Sequence, residues 1–250
     1  MATIAPRVKK YFTILENNPD VMNFLATALG LSPSSQLSFH DIYSLTDPDL
    51  LALIPRPVHA LLVIIPMTPT WHAARVAEDS TMPEEYPGKG SEEPVLWFKQ
   101  TIGDACGSIG LLHCLLNGEA AKHIVPGSTL DRIRLDALDK GMWERARVLE
   151  ENGDYEAAHE EAAKLGDTRT PDKQADEHRG QHFVAFVKGR DGHLWELEGS
   201  RRGPLDRGAL KDGEDLLSEA ALEKGLGRLM RTEMENGGDL RFSAIALAGS

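Results

Sequence analysis

Apolar positions along the chain switch between a helical and an alternating period, and the switches mark the elements. Val21, Phe24, Leu25, Ala28 and Leu29 recur at helical spacing, which predicts one apolar helix face. Asn18 is placed to cap that helix, Pro19 to occupy its first position, Asp20 its first turn and Gly30 its end. Residues 11–31 therefore read as a helix with an extended entry. Residues 37–42 alternate as a short strand, and residues 47–53 suit one or two helical turns. Residues 58–65 form a continuous apolar run between Pro57 and Pro66. The run predicts a central strand covered on both faces, because the prolines leave too little length for a buried helix. Residues 68–94 are polar and rich in Pro, Gly and Glu, which predicts a loop with a helical piece around residues 71–78. Residues 107–117 are apolar at helical spacing, and residues 131–151 read as one long helix capped by Ser128 or Thr129.

The second half continues the mixture. Residues 150–179 are acidic and Ala-rich, then rich in Asp, Thr and Pro, which predicts a helical piece followed by a loop over about 166–180. A loop of that length inside a compact domain is usually functional or disordered. Residues 182–187 and 193–197 flank Lys188-Gly-Arg-Asp-Gly192, a hairpin signal with Asp-Gly in the turn. Residues 216–231 read as a helix despite Gly225 and Gly227, and residues 241–247 alternate as a closing strand. No repeat or low-complexity linker divides the chain, so a single domain over 1–250 is expected. Its class is α/β, an antiparallel or mixed sheet under helices.

Composition narrows the function. With 41% hydrophobic and 26% charged residues, the balance is that of a soluble globular protein. The longest apolar run falls far short of the roughly 20 residues that span a bilayer, and the N-terminus lacks the apolar core of a signal peptide. The formal charge of −12 argues against nucleic acid and for a basic protein or peptide as partner. The two cysteines, Cys106 and Cys114, would lie about 12 Å apart on one helix, beyond the roughly 7 Å that a disulfide tolerates. Two unpaired thiols indicate a reducing compartment, cytoplasmic or nuclear. No metal or cofactor is expected.

One segment concentrates chemistry. Gly103 and Asp104 break an extended stretch, and an apolar helix follows at once, so Cys106 is placed at a helix N-terminus. Unpaired backbone N–H groups and the positive end of the dipole favour a thiolate there. The Cys106 N–H would point at an oxyanion formed at its own sulfur, Gln100 could add a side-chain donor, and Gly107 would leave room for a peptide. Cys114, two turns on among leucines, reads as core filler. A thiol nucleophile needs a base oriented by a carboxylate or amide. His182 opens a strand directly after the long loop, and a hairpin would bring Glu198 back beside it.

The joint pattern resembles the ubiquitin C-terminal hydrolases, papain-like thiol deubiquitinases. The resemblance rests on Gln100-Thr-Ile-Gly-Asp-Ala-Cys106-Gly-Ser-Ile-Gly-Leu-Leu-His, His182-Phe-Val-Ala-Phe, Asp191-Gly-His-Leu-Trp-Glu-Leu-Glu198-Gly and Arg241-Phe-Ser-Ala-Ile-Ala-Leu247. Leu15-Glu-Asn-Asn-Pro-Asp-Val-Met and Ala60-Leu-Leu-Val-Ile-Ile-Pro66 fit as well. It runs in order from about residue 10 to 248. It implies a papain-like α-β-α sandwich with a central, largely antiparallel sheet and a crossover loop, here about 150–181, over the active site. It implies Cys106 as nucleophile, His182 as general base and acid, and Gln100 in the oxyanion hole. Substrate contacts would come from Leu15, Glu16, Asp20, Asp104 and Gly107. The family's Glu-Leu-Asp-Gly is Glu196-Leu-Glu-Gly here, so Glu198 takes the aspartate's place and would accept from His182 Nδ1. The hairpin also carries one extra residue near Gly189-Arg190. The implied partner of a monomeric enzyme is ubiquitin, whose Arg-rich tail the acidic loop, Glu16 and Asp20 would complement. Three other readings are set beside this one: a ubiquitin-binding module with weak catalysis, a hydrolase for a ubiquitin-like modifier, and a thiol hydrolase or acyl transferase for a small molecule.

Overall fold

The apolar run between the prolines is the middle of the molecule. In the computed structural model, which describes residues 9–166 and 180–249, it forms β2 (Val58–Pro66). The other strands are β1 (Ser38–Asp41), β3 (Gln181–Lys188), β4 (His193–Leu197), β5 (Leu205–Ala209) and β6 (Ser243–Ala248). They make one six-stranded sheet in the order β1-β6-β2-β3-β4-β5, with every neighbouring pair antiparallel. Antiparallel sheets usually leave one face to water, and then alternate. Here both faces are covered. Leu62, Phe183, Ala185 and Leu247 enter one core, and Leu61, Val63, Val184, Phe186 and Ala246 enter the other.

Helices supply the outer layers. The first core packs α1 (Pro19–Leu29), α4 (Cys106–Leu115), α5 (Thr129–Ala137), α6 (Met142–Glu150) and α7 (Gly153–Ala163). The second packs α2 (Pro48–Leu51), α3 (Pro69–Asp79), α8 (Glu219–Lys224) and α9 (Leu226–Glu235). The result is the expected α-β-α sandwich. The caps of α1 are as the sequence predicts: Asn18 accepts from the Val21 N–H, and Gly30 closes the helix with φ 119°. The β3–β4 hairpin turns through Arg190-Asp191-Gly192, with Gly192 at φ 78° and Gly189 N–H donating to His193 O at 2.9 Å. That is a three-residue loop ending in a left-handed glycine.

Several expectations are corrected. The apolar face of α1 is rotated: Met22 and Ala26 are buried with Val21, Leu25 and Leu29, whereas Phe24 and Ala28 are exposed. The long helix over 131–151 is two, α5 and α6. Gly141, extended at φ −75° and ψ 172°, starts α6 after the break, and the fully buried guanidinium of Arg145 donates to Ala137 O at 2.9 Å and Leu138 O at 3.1 Å while pairing with Glu93. It satisfies carbonyls that a continuing helix would have satisfied. The helix over 216–231 is likewise two, α8 and α9, parted at Gly225, whose backbone is non-helical at φ −100° and ψ −109° and lies against Phe186 and Leu194, where a Cβ would sit 3.1–3.2 Å from their side chains. Strand β5 was unforeseen. It has almost no apolar pattern and is tied to β4 by Asp206 on His193 at 2.9 Å and Arg207 on Glu196 at 2.8 Å. Most of the loop over 166–180 lies outside the described residues.

Arg145→Met would strip Glu93 of its cation and α5 of its C-terminal donors. Breaking a buried pair from one side typically costs about 3–5 kcal/mol. Urea unfolding should show a loss of that size, and a loss under about 1 kcal/mol would mean that the pair does not hold α5 and α6 together.

Candidate active site

Cys106 is the first residue of α4, and nothing but backbone precedes it there. Ala105 offers no side-chain cap, so the first N–H groups of the helix are left toward the sulfur. The turn that delivers Cys106 is pinned from the N-terminal segment. Phe12 N–H donates to Gly103 O at 2.9 Å, and Gly103 N–H donates to Lys10 O at 2.8 Å. Asp104 is exposed and left-handed, with φ 59°. The third helical residue, Ser108, ties α4 to α7: its hydroxyl lies 2.6 Å from Tyr155 Oη and 2.9 Å from His159 Nδ1, and His159 Nε2 donates to Thr13 O at 2.6 Å.

Gly107 has a packing role that the sequence did not show. It is buried, and a Cβ there would meet Leu15 Cβ at 3.2 Å and the Phe183 ring at 3.3 Å. The missing side chain therefore lets α4 close on β3, which seats Cys106 beside the strand that carries His182. Leu15 is corrected: it is a core side chain, 3% exposed, that packs beneath Gly107 and offers no surface. Asp20 is exposed in the first turn of α1. Glu16 accepts from Asn18 Nδ2 at 2.9 Å and lies against Gly166.

His182 stands in β3, opposite Ile65, and Glu198 follows the last residue of β4. The hairpin register places Leu197 opposite Ala185, which brings Glu198 back toward the start of β3. His182 Nε2 lies 3.0 Å from Glu198 Oε1, and the ring is also hydrogen-bonded to Cys106. The imidazole thus turns Nε2 to the carboxylate and leaves Nδ1 for the thiol. This reverses the expected use of the two nitrogens. The longer glutamate still reaches.

Burial works against the charge on both partners, yet contact wins. Burial would push His182 down, but hydrogen bonds and attraction to Cys106 and Glu198 hold it up at about 10. Burial would push Glu198 up, but His182, Arg75 and Ser200 hold it at about 2. The arrangement favours an imidazolium facing a sulfur. The other cysteine contrasts: Cys114 is fully buried, its sulfur lies 3.7 Å from Leu61 O, and burial pushes its thiol up.

Gln100 is held by its neighbours. Asn117 bonds both Leu96 N and Leu96 O, at 2.7 and 3.0 Å, and Phe98 N–H donates to His113 Nε2 at 3.0 Å. Burial pushes His113 down to about 3, so it stays neutral and can accept. Trp97 Nε1 donates to Glu198 O at 3.2 Å, and Gln100 N–H donates to Gly199 O at 2.7 Å. Gln100 and Glu198 are thereby fixed to one another by backbone. The Gln100 amide donates to Ile102 O at 3.2 Å, which leaves its second N–H for a ligand.

The surroundings of Glu198 were not foreseen. Trp71 and Arg75, one turn apart on α3, form a stack in which the guanidinium lies 5.2 Å from the indole. Trp71 also lies 6.5 Å from the His182 ring. Arg75 Nη2 donates to Ser200 Oγ at 2.8 Å and lies 3.6 Å from Glu198. Arg201, 2% exposed, reaches Glu198, Asp79 and Glu78 within 3.3 Å. The i, i+4 spacing of Trp71 and Arg75 was the available signal, but nothing local said which core α3 would face. The acidic excess over 150–177 is partly spent inside the protein. Glu160 accepts from Thr13, and Glu156 pairs with Lys10 at 2.7 Å. Residues 167–177 of that stretch lie outside the described residues.

The family description "Ubiquitin carboxyl-terminal hydrolase, family 1" matches residues 12–231. Ubiquitin carboxyl-terminal hydrolase 3 of Arabidopsis thaliana is 36% identical over 235 residues, covering 94% of this chain and 92% of that protein. Ubiquitin carboxyl-terminal hydrolase isozyme L1 of Macaca fascicularis is 34% identical over 235 residues, covering 93% and 96%. Among solved structures, the catalytic domain of Trichinella spiralis UCH37 bound to ubiquitin vinyl methyl ester superposes with a TM-score of 0.66, at 18% identity and 97% coverage of each chain. That likeness is one of fold.

Proposed function

The chain belongs to family 1 of the ubiquitin carboxyl-terminal hydrolases, and from that premise we propose that it cleaves ester, thioester, amide or peptide bonds at the C-terminal glycine of ubiquitin through Cys106, His182, Glu198 and Gln100. The observation that carries the reading is His182 Nε2 at 3.0 Å from Glu198 Oε1, with Cys106, at a helix N-terminus, helping to hold the imidazole charged. The reach of Glu198 supports turnover over a binding role alone.

The chemistry is acyl transfer. Cys106 Sγ bonds to the glycine carbonyl carbon, and the carbonyl oxygen takes the displaced electron pair. The Cys106 N–H and Gln100 Nε2 donate to that oxyanion. As it collapses, the bond to the leaving group breaks, and the His182 imidazolium supplies the leaving group's proton. Water then attacks the thioester while neutral His182 takes its proton, and the sulfur leaves. Ubiquitin departs with a free carboxylate. Asp20 and Asp104, both exposed, and Glu16 are the described acids that support recognition of an Arg-rich tail. Small adducts, peptides and ubiquitin precursors are the proposed substrates, released by one catalytic domain over 1–250. The two free thiols support a reducing, cytoplasmic or nuclear setting. Among the described residues no helix is long and apolar enough to cross a membrane.

Hydrolysis of ubiquitin bearing a fluorogenic C-terminal amide tests the reading. Turnover is expected. Binding of ubiquitin without turnover would reduce the protein to a module, and no binding would remove ubiquitin as the substrate. Gln100→Ala should lower kcat by about 10²–10³-fold with the fold intact, the usual cost of one oxyanion donor. Unchanged kcat would take Gln100 out of the oxyanion hole.

A further inference from the structure

Glu198 has one methylene and one torsion more than the aspartate in the family's Glu-Leu-Asp-Gly sequence. A longer side chain has more rotamers to lose before its carboxylate points at one partner. Two residues on, Ser200 sits where that freedom can be removed. Its hydroxyl donates to Glu198 Oε1 in a short contact. The same oxygen accepts from Arg75 Nη2 at 2.8 Å and lies 3.4 Å from His182 Nε2. Ser200 has one proton, and its partners decide where it goes. Arg75 can only donate and the ionised Glu198 can only accept, so the hydroxyl must accept from the first and donate to the second. The remaining lone pair faces the N–H of His182, which Ser200 thus shares with Glu198 Oε1.

The backbone of Ser200 is fixed as well. Lys99 Nζ donates to Ser200 O at 2.8 Å and to Arg201 O at 2.6 Å, and the neighbouring Gly199 O holds Gln100 N–H. The hydroxyl is therefore presented from a clamped loop.

We infer that Ser200 is a positioning residue, which locks the carboxylate of Glu198 onto Nε2 of His182 and so accommodates a glutamate at this place in the triad. The inference rests on the assignment of Glu198 and His182 to the catalytic pair. Ser200 acts on the pair through Glu198 Oε1 and the Nε2 side of His182, and Arg75 both holds the Ser200 hydroxyl and faces Glu198.

The charged and titratable groups around the pair bear on any pH test. Cys106 faces the imidazole from α4, and His113 of the same helix is neutral. Arg75 faces Glu198 from α3, Arg201 from the loop beyond β4, and Lys99 from the segment before α4; Asp79 pairs with both arginines, and Glu78 and Glu196 with Arg201. Ser200 is uncharged, so replacing it leaves all of these in place.

The test follows the His182 ring nitrogens by NMR against pH in the free protein, and measures kcat and KM with the fluorogenic ubiquitin amide, for the wild type, Ser200→Ala and Ser200→Thr. Ser200→Ala should let His182 lose its proton at lower pH and reduce kcat by roughly tenfold, as expected for losing a hydrogen bond to a charged group, with KM unchanged. Ser200→Thr keeps the hydroxyl and should restore both. Ser200→Ala with the wild-type titration and kcat overturns the inference, and so does a change confined to the melting temperature. If the wild type fails to cleave the amide, the proposed function falls, and the His182 titration still decides the part played by Ser200.

Discussion

Cys106→Ser is expected to lower kcat/KM for the fluorogenic ubiquitin amide by on the order of 10⁵-fold, the scale of removing a nucleophile that works with its base as a unit. Cys114→Ser is expected to leave turnover per folded molecule unchanged. The two thiols differ in surroundings alone. The Cys106 sulfur is partly exposed at the start of α4 and hydrogen-bonded to His182. A serine oxygen would fill the same space and keep that contact, so the fold should persist and ubiquitin binding with it. What serine lacks is intrinsic nucleophilicity: a hydroxyl is a far weaker acid than a thiol, and the imidazole cannot hold it as an anion at rest. Cys114 is sealed among leucines, and burial pushes its thiol up, so it cannot serve as a resting thiolate. A hydroxyl in its place could still donate to Leu61 O, with a stability cost of about 1–3 kcal/mol. Iodoacetamide on the folded wild type should therefore label Cys106 and spare Cys114. Lost turnover in Cys114→Ser, with Cys106→Ser still active, would overturn the assignment.

Local signals made much of this site legible. The break at Gly103-Asp104 before an apolar run is enough to set Cys106 at a helix start. The Asp-Gly turn fixes the hairpin register that returns Glu198 to His182. The apolar run of β2, without alternation, told correctly of a strand covered on both faces. What could not be read depends on partners distant in sequence. Arg145 looks like a helix-surface residue until its distant partner Glu93 is known. The close packing of Gly107 needed Leu15 and Phe183 to be in place. Phe24 fits the apolar stripe of α1 as well as Met22 does, and only the position of α7 and β1 around that helix decides which is buried. The arginines around Glu198 belong to α3 and to the loop after β4, and no periodicity links them.

Those arginines set the terms of the second large effect. Glu198→Gln is expected to lower kcat by about 10³–10⁴-fold, the cost of replacing a triad carboxylate by its amide, and to move the alkaline limb of kcat/KM to lower pH. Burial alone would make His182 a weaker base than a free imidazole. It is held at about 10 only because its bonds to Cys106 and Glu198 outweigh that burial. An amide retains the shape of the carboxylate without its charge, so part of the support vanishes and burial regains ground. The imidazolium then loses its proton at lower pH than in the wild type, and fewer molecules can protonate the leaving amine. The sign carries into stability. A folded-state value above the free value of 6.5 for His182, with Glu198 lowered from 4.5 to about 2, means that the pairing stabilises the fold fully between pH 4.5 and 6.5 and ever less as pH rises through about 10. The gap in melting temperature between wild type and Glu198→Gln should therefore narrow as pH rises toward 10. Part of that gap has another source and persists, because Arg75 and Arg201 face a neutral amide at every pH. Melting curves at several pH values separate the two. Were Glu198→Gln to keep both its turnover and its alkaline limb while His182→Ala lost activity, orientation of His182 would have to come from Ser200 and Trp71 rather than from the carboxylate.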